Sequence, residues 1–581
     1  MKKNNKDKVK CIGGIALGNG IILKSETKET VTTMLNDNKI NVNIKETFCN
    51  NNKFDVFDLP FIRGFRNIIL QFFNSKENLK NTMRYIGSAL NIDYDESDVN
   101  INISSLIFTL IFLLIVIFIA IPIAVSIPVT NMKNIFQVII QLLLFGSVLM
   151  FFRFNKGLSE LLEYHGAEHK VINTYEEKLN LEDITLENVL KASRIHKRCG
   201  TNLISFYILL TVLEMIFLPI QNLLLKFCIM SILSVLNISV AYEIIASLPT
   251  LPNFISYIFY PAMMVQYLTT KAPSKEKVEL AIYGIKPHIT DELSASISDV
   301  LTKYKREITT EKIKNYTYQD MLKIVSYVTN KNIGSIYASL NDKILSYNEQ
   351  IEIRRLLNLM IKEDMPIQYI TQKAYFYNEE YIVNSNVLIP REDTEILVQK
   401  AIEYINKYEL KEMIDLCTGS GCIGISTANN SNIQKVILSD ISKEALNVAR
   451  ENITLNNASD KVITYHSDLL KLYIEKKITT DIIVSNPPYI KTDDIEKLDK
   501  KVQKEPHIAL DGGKTGMDVY IKILDQADKV IKENGYLMFE IGYDELEEIK
   551  KIASTYKKYE FIEEVKDYGG NDRVVIFRVL K

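Results

Sequence analysis

Hydrophobic positions in this chain follow two different rules. Between about residue 100 and residue 270 they run together, and from 376 onward they come in short blocks between helical stretches. Residues 99–132 carry no charge and include SSLIFTLIFLLIVIFIAIPIAVSIPV, and 134–152 form a second charge-free run. Residues 202–220 hold only Glu214 as a charge, and 227–249 only Glu243. A bilayer needs about 20 consecutive apolar residues. The pattern therefore predicts transmembrane helices at about 104–127, 134–152, 202–220 and 227–249, with 254–268, broken by Pro261, at the interface. The later blocks, MIDLCTG, KVILSDI, DIIVSNP, GYLMFEIG and VVIFRVL, read as buried strands alternating with helices, the pattern of an α/β sheet. Between the two regions, 286–365 shows helical periodicity with many charges. Near the start, 12–25 reads as a glycine-bearing hairpin and 58–73 as an amphipathic helix with Arg63 and Arg66 on its polar side.

The expected fold class is therefore multidomain. Residues 1–100 form an N-terminal cytoplasmic part, 101–285 an α-helical membrane domain, 286–375 a small helical module, and 376–581 a Rossmann-like α/β domain with a seven-stranded, mostly parallel sheet. Charge sets the orientation. The 153–200 segment carries Arg153, Lys156, Lys170, Lys178, Lys191, Arg194, Lys197 and Arg198, whereas the predicted hairpin tips are nearly uncharged. Positive residues stay inside, so a multi-pass cell-membrane protein with both termini in the cytoplasm is expected. Net charge is -2, which disfavours a generally basic nucleic-acid surface. The six cysteines are scattered, which fits a reducing compartment better than a disulfide framework.

Two motifs carry chemistry in the α/β region. In KEMIDLCTGSGCIGIS (411–426) a strand runs into Gly419, Gly421 and Gly424 and then a helix. Glycine permits a tight turn and close approach of a ligand to the backbone. Asp415 lies at the strand end before the glycines, where a carboxylate can receive a cationic amino group. Asp440 closes the next strand, as suits two ribose hydroxyls, and Asp468 follows a third, placed for an adenine edge. The second motif is SNPPYI (485–490). Asn486 offers a side-chain oxygen and Pro487 a carbonyl, both acceptors for an NH2 group. Pro487 and Pro488 hold the backbone and remove competing N–H donors. Tyr489 can pack on a planar target. Together the motifs suit methyl transfer from S-adenosylmethionine to an amide or exocyclic amine held in line.

A third cluster lies in EYHGAEHKVINTYEE (163–177) and RIHKRCGTN (194–202). His165 and His169 share one helix face, Glu168 stands between them as a base, and His196 and Cys199 could complete a site. Zinc suits such ligands best.

Residues 286–581 resemble the PrmC/HemK family, which methylates the glutamine of the GGQ motif in class I peptide chain release factors. The matching stretches are MPIQYITQKAYFY, NVLIPREDTEILV, DLCTGSGCIGIS, SDIS, SNPPYI, EPHIALDGGKTGMDVY, FEIGYDE and DYGGNDRVVIFR. The resemblance implies cofactor contacts from Cys417, Thr418, Gly419, Ser420, Gly421, Asp440, Leu469 and Asn486. It implies substrate contacts from Asn486, Pro487, Pro488 and Tyr489, and docking of the release factor on the helical module. Two departures stand out: Gln372 where the family usually has Gly, and Glu392-Asp393 where it has Pro-Glu. The rival reading is an adenine-N6 or other protein amide methyltransferase, since the same four residues can hold an exocyclic amine. A nucleic-acid enzyme also needs a basic track, so no direct nucleic-acid partner is expected. Residues 8–285 resemble the YqhQ-like membrane proteins, sometimes described as metal-dependent, in LPFIRG, YHGAEHK, HKRCGT, AYEII and QYLTTKAP. Partners implied are thus release factors and the lipid bilayer, with the membrane half a metal-dependent enzyme or a plain anchor.

Overall fold

The computed structural model describes residues 12–46, 153–178, 181–218, 222–249, 251–308 and 316–580, apart from residues 26, 36, 37 and 155. The chain divides into two compact units, one built from residues up to 295 with 343–352, the other from 296–342 with 353–581.

The N-terminal unit contains a four-stranded antiparallel sheet in sequential order, β1 (Gly13–Leu17), β2 (Gly20–Lys24), β3 (Lys28–Met34) and β4 (Ile40–Glu46). β1 and β2 form a hairpin that pairs Leu17 with Gly20. The helices Lys156–Lys178 and Lys275–Ile289 pack with it, and Ile21, Leu23, Val171, Val278 and Ala281 share one core.

Two of the long apolar runs do form helices, Thr201–Phe217 and Leu223–Ser247. Yet among the described residues no helix is long and apolar enough to cross a membrane. The membrane spans expected at 202–220 and 227–249, and with them the multi-pass location, are corrected accordingly, and the bilayer as partner finds no support among the described residues. At about 1.5 Å per residue the first helix falls short of a hydrocarbon core about 30 Å thick. The second holds the buried Asn237, whose side-chain amide donates to Glu214 Oε2 at 2.9 Å. Only part of the apolar surface is used in packing: Phe206, Ala241, Leu248 and Met263 bury one another, while Ile204, Leu209, Leu213, Leu225, Ile232 and Leu236 are exposed. Hydropathy scores such a packed hairpin and a spanning pair alike. The runs expected at 104–127 and 134–152, and the helix expected at 58–73, lie outside the described residues.

The C-terminal unit opens with short helices, Ile297–Glu307, Tyr318–Thr329, Ile333–Ala338 and Ile367–Thr371. The last ends on Gln372 at φ +56°, a left-handed position where glycine avoids the Cβ penalty. A two-stranded hairpin follows, β5 (Lys373–Phe376) and β6 (Glu379–Ile382). The main sheet has seven strands: β7 (Glu412–Leu416), β8 (Lys435–Asp440), β9 (Val462–His466), β10 (Thr480–Ser485), β11 (Ile531–Glu540), β12 (Tyr559–Lys566) and β13 (Asp572–Val579). Their order is β12-β13-β11-β10-β7-β8-β9. The sheet has the seven strands expected and is mixed: four of its six strand pairings are parallel, and β13 alone runs antiparallel, to both β11 and β12. The cause is local: β12 and β13 are joined by a tight turn with Gly570 at φ +83°, and a tight turn can only reverse the chain. The alternation along the central strands buries both faces. Met413, Ile482 and Val484 enter one core, and Ile414, Ile483 and Phe539 the other.

Candidate active site

The strand order reverses at β7. The chain proceeds to β8 and β9 on one side and to β10 and β11 on the other. In open α/β sheets such a switch leaves a crevice at the carboxyl ends of the two central strands. Both motifs lie there. β7 pairs with β10 in a register that sets Leu416 beside Ser485, and the Ser485 hydroxyl donates to the Leu416 carbonyl at 2.6 Å. The glycine turn and Asn486 therefore leave the sheet from adjacent strands.

The glycine turn is braced from below. Asp415 is fully buried, and its Oδ2 accepts from the Thr418 hydroxyl at 2.5 Å and the Gly424 amide at 2.9 Å. Its Oδ1 is buried without a partner, and burial, only partly opposed by those hydrogen bonds, pushes the carboxyl up to about 7. Gly421 has φ +84°, and a Cβ there would meet Leu438 Cδ1 at 2.9 Å. A Cβ on Gly419, by contrast, would meet nothing within 4 Å, so space is open above it. Asp440 receives the Gly419 amide and the Ser442 amide, each at 2.9 Å, and burial raises its carboxyl. Asp415 and Asp440 thus shape the loop, and of their four oxygens Asp415 Oδ1 is the one left without a partner. Asp468 stands apart: it is exposed and ion-paired with Lys471.

Two residues without glycine's freedom hold left-handed backbone at this end of the sheet, Cys417 at φ +59° and Leu469 at φ +49°. Such conformations cost about 1–3 kcal/mol each and collect at ligand sites. Ser420 is buried with its carbonyl accepting from Asn452, which fixes the turn against the neighbouring helix.

Asn486 follows β10. Its side-chain NH2 points to the Thr394 hydroxyl at 3.4 Å. Glu540, at the end of β11, lies against both Thr394 and Asn486, and its Oε2 is buried without a partner. Burial pushes the Glu540 carboxyl up to about 7. With its NH2 directed to these groups, Asn486 keeps Oδ1 for a donor. Pro487 is buried and Pro488 and Tyr489 half-buried. The backbone beyond them is clamped: Ile490 donates to the Leu510 carbonyl at 3.0 Å, and its own carbonyl accepts from Gly512 at 2.8 Å. A side chain on Gly512 would strike the Tyr489 backbone at 2.6 Å. Burial also raises the Tyr489 phenol, keeping it neutral. Nearby, Glu505 accepts from the Ile389 amide at 3.0 Å and pairs with Arg391. Thr394, Glu540 and Glu505 were not singled out from the sequence. The signal for Glu540 is a carboxylate ending the apolar block GYLMFE.

The third cluster belongs to the N-terminal unit. His165, His169 and Cys199 come together, each offering a ligand atom within 4.8 Å of the others. His196 is not in that group: its Nε2 lies 3.5 Å from Glu176 Oε2. Glu168 is buried and its Oε2 has no partner.

Comparison with known proteins agrees with the site. Residues 392–511 match the family described as methyltransferase small domain. A release factor glutamine methyltransferase of Clostridium acetobutylicum is 38% identical over 286 residues, covering 48% of this chain and 97% of that protein. One from Clostridium botulinum is 41% identical over 215 residues, covering 37% of this chain and 76% of its own length. A third, from Fusobacterium nucleatum, is 36% identical over 262 residues, covering 45% of this chain and 71% of its own length. The fold and site define a methyltransferase. Through its C-terminal half the chain belongs to the release factor glutamine methyltransferase family. Residues 59–291 match a second family, described only as a protein of unknown function (DUF1385).

Proposed function

We propose that the C-terminal unit transfers a methyl group from S-adenosylmethionine to the side-chain amide nitrogen of a glutamine in a class I peptide chain release factor. The observation that carries this reading is the β7–β10 register, which sets the glycine turn and Asn486 side by side. The unpartnered Asp415 Oδ1, the open space over Gly419 and the left-handed Cys417 and Leu469 fit an adenosyl cofactor with a cationic amino group. When bound, that cofactor supplies an electrophilic methyl group on a sulfonium.

The chain's own residues address the nucleophile. An amide nitrogen is weak because its lone pair is delocalised. Asn486 Oδ1 and the Pro487 carbonyl accept from its two N–H groups, fixing the nitrogen and stabilising the positive charge it gains as the new bond forms. Thr394 and Glu540 keep the Asn486 amide turned so that its oxygen faces the substrate. Tyr489 forms an apolar wall. As the nitrogen–carbon bond forms the carbon–sulfur bond breaks, leaving a neutral thioether, and the nitrogen then gives one proton to water and becomes a neutral N-methyl amide.

The test is methyl transfer by the full-length protein from labelled cofactor, offered a purified release factor, DNA or ribosomal RNA. Label is expected on the release factor and absent when its GGQ glutamine is replaced by alanine. Label on nucleic acid with none on protein rejects the proposal.

A further inference from the structure

The cluster in the N-terminal unit is unused by methyl transfer and has the makings of a site of its own. His165 and His169 lie one turn apart on the helix Lys156–Lys178, with ring centroids 4.4 Å apart. His165 Nδ1 lies 2.9 Å from the Thr269 carbonyl and His169 Nδ1 2.6 Å from the Arg194 carbonyl. A carbonyl can only accept, so each Nδ1 carries the proton and each Nε2 presents a lone pair. A backbone carbonyl behind the imidazole is also the usual support of a metal-bound histidine. Cys199 Sγ lies 3.4 Å from His165 Nε2. Tetrahedral zinc with ordinary Zn–N and Zn–S bonds would set that pair about 3.6 Å apart.

Two neighbouring groups, His196 and Glu168, stand outside the group of three, and each leaves one buried polar atom without a hydrogen-bond partner. His196 Nε2 lies beside Glu176, and its backbone is tied to Gln266 in both directions, at 2.8 and 3.0 Å. Glu168 turns toward β1: a Cβ on Gly14 would sit 2.2 Å from its Oε1. Glu168 Oε2 is nevertheless buried with no partner, a polar atom the unit leaves unanswered. The thiol can donate to His165 Nε2 and also lies 3.0 Å from the Thr201 hydroxyl, so the cluster holds together without an ion, while its two imidazoles and sulfur still keep three ligand atoms within 4.8 Å of one another.

We propose that His165, His169 and Cys199 bind one divalent transition-metal ion of the zinc class through two imidazole nitrogens and a thiolate, with one coordination position left for an exchangeable water or anion. Nitrogen and sulfur ligands select such an ion over magnesium or calcium. Three protein ligands, unlike four, leave the metal open. Binding displaces the Cys199 thiol proton, so affinity rises with pH.

The test uses the full-length protein stripped of metal and titrated with cobalt(II). One equivalent is expected to produce a thiolate-to-cobalt charge-transfer band with intense visible bands of a four-coordinate ion. Added azide should shift the visible bands. Cys199→Ser should abolish the charge-transfer band, and His169→Ala should weaken binding by about 10- to 100-fold. Circular dichroism of the metal-free variants separates lost ligation from lost folding, and the wild-type spectrum stands independently of either variant. Absence of the charge-transfer band in the wild type, or its persistence in Cys199→Ser, overturns the site. Visible bands indifferent to azide overturn the open position.

Discussion

Asp415 and Glu168 are both buried carboxylates beside a glycine, and the two units hold them in opposite ways. Asp415 is braced by its own loop, through Thr418 and the Gly424 amide. Among the described residues no loop amide or hydroxyl answers Glu168 Oε2, and burial lifts its carboxyl to about 8. The first carboxylate builds a backbone shape and has one oxygen to spare. The second builds no loop: its Oε1 lies against Gly14 of β1, and of the three clustered side chains the Cys199 thiol is the one that feels its charge. An unpartnered buried oxygen costs about 1–3 kcal/mol, so each unit gives up stability at that place. The lesson is that an unpartnered buried oxygen has to be read by its neighbours: Asp415 sits under a glycine turn with open space above Gly419, whereas Glu168 faces a strand and stands outside the His165, His169 and Cys199 group.

The comparison can be broken first at Asn486. If the C-terminal unit works by hydrogen-bonding one NH2 group, Asn486→Ala should lower kcat by about 10²–10³-fold, in the range of losing one preorganised hydrogen-bonding group. Its melting temperature should stay near that of the wild type. Steady-state kinetics beside a thermal melt reads both.

Loop shape comes next. Gly421→Ala places a side chain against Leu438 and Ile425 at a left-handed φ. A loss of about 2–3 kcal/mol is expected by denaturant titration, with weakened cofactor binding by calorimetry. An unchanged midpoint would mean that the loop is not braced as described.

Glu540 is the C-terminal unit's nearest counterpart to Glu168, with its own unpartnered oxygen. Its carboxyl titrates at about 7 in the folded chain against 4.5 ordinarily. A raised value means that the protonated form favours folding. That contribution is full below pH 4.5 and is lost as pH rises through about 7. Relative to Glu540→Gln, the wild type should therefore lose on the order of 2 kcal/mol across that interval. Parallel pH profiles of the two would expose a flat difference, which would contradict the assignment.

The smallest effect is at Gln372. Its left-handed φ of +56° should make Gln372→Gly stabilising by about 1 kcal/mol, seen as a raised midpoint in urea.

Legibility in the sequence follows the range of the interactions. The strand–glycine–helix passage at 412–430 and the strand ending at Asn486 were readable because short apolar blocks and glycine or proline act locally. Asp440 lies where its strand end placed it, beside the glycine turn, but Asp468 points to Lys471. The left-handed Cys417 and Leu469 were expected at the site by resemblance alone, since neither residue type announces its φ. Thr394 and Glu540 were missed because they reach Asn486 from distant elements. Which strand runs antiparallel was not readable, because strand order is set by packing and apolar blocks carry no direction. The helices at 201–217 and 223–247 were legible as helices, but not as a packed pair. Their polar tie between Asn237 and Glu214 spans 23 positions. His196 was grouped with the ligands by proximity in sequence, and Glu176 takes it away.

The most direct test of the central claim is peptide mass spectrometry of a class I release factor after incubation with S-adenosylmethionine and the full-length protein, with Asn486→Ala in parallel. The account predicts one added methyl group on the side-chain nitrogen of the GGQ glutamine with the wild type, and none above background with the variant. A methyl group on any other residue, or equal methylation by both proteins, would contradict it.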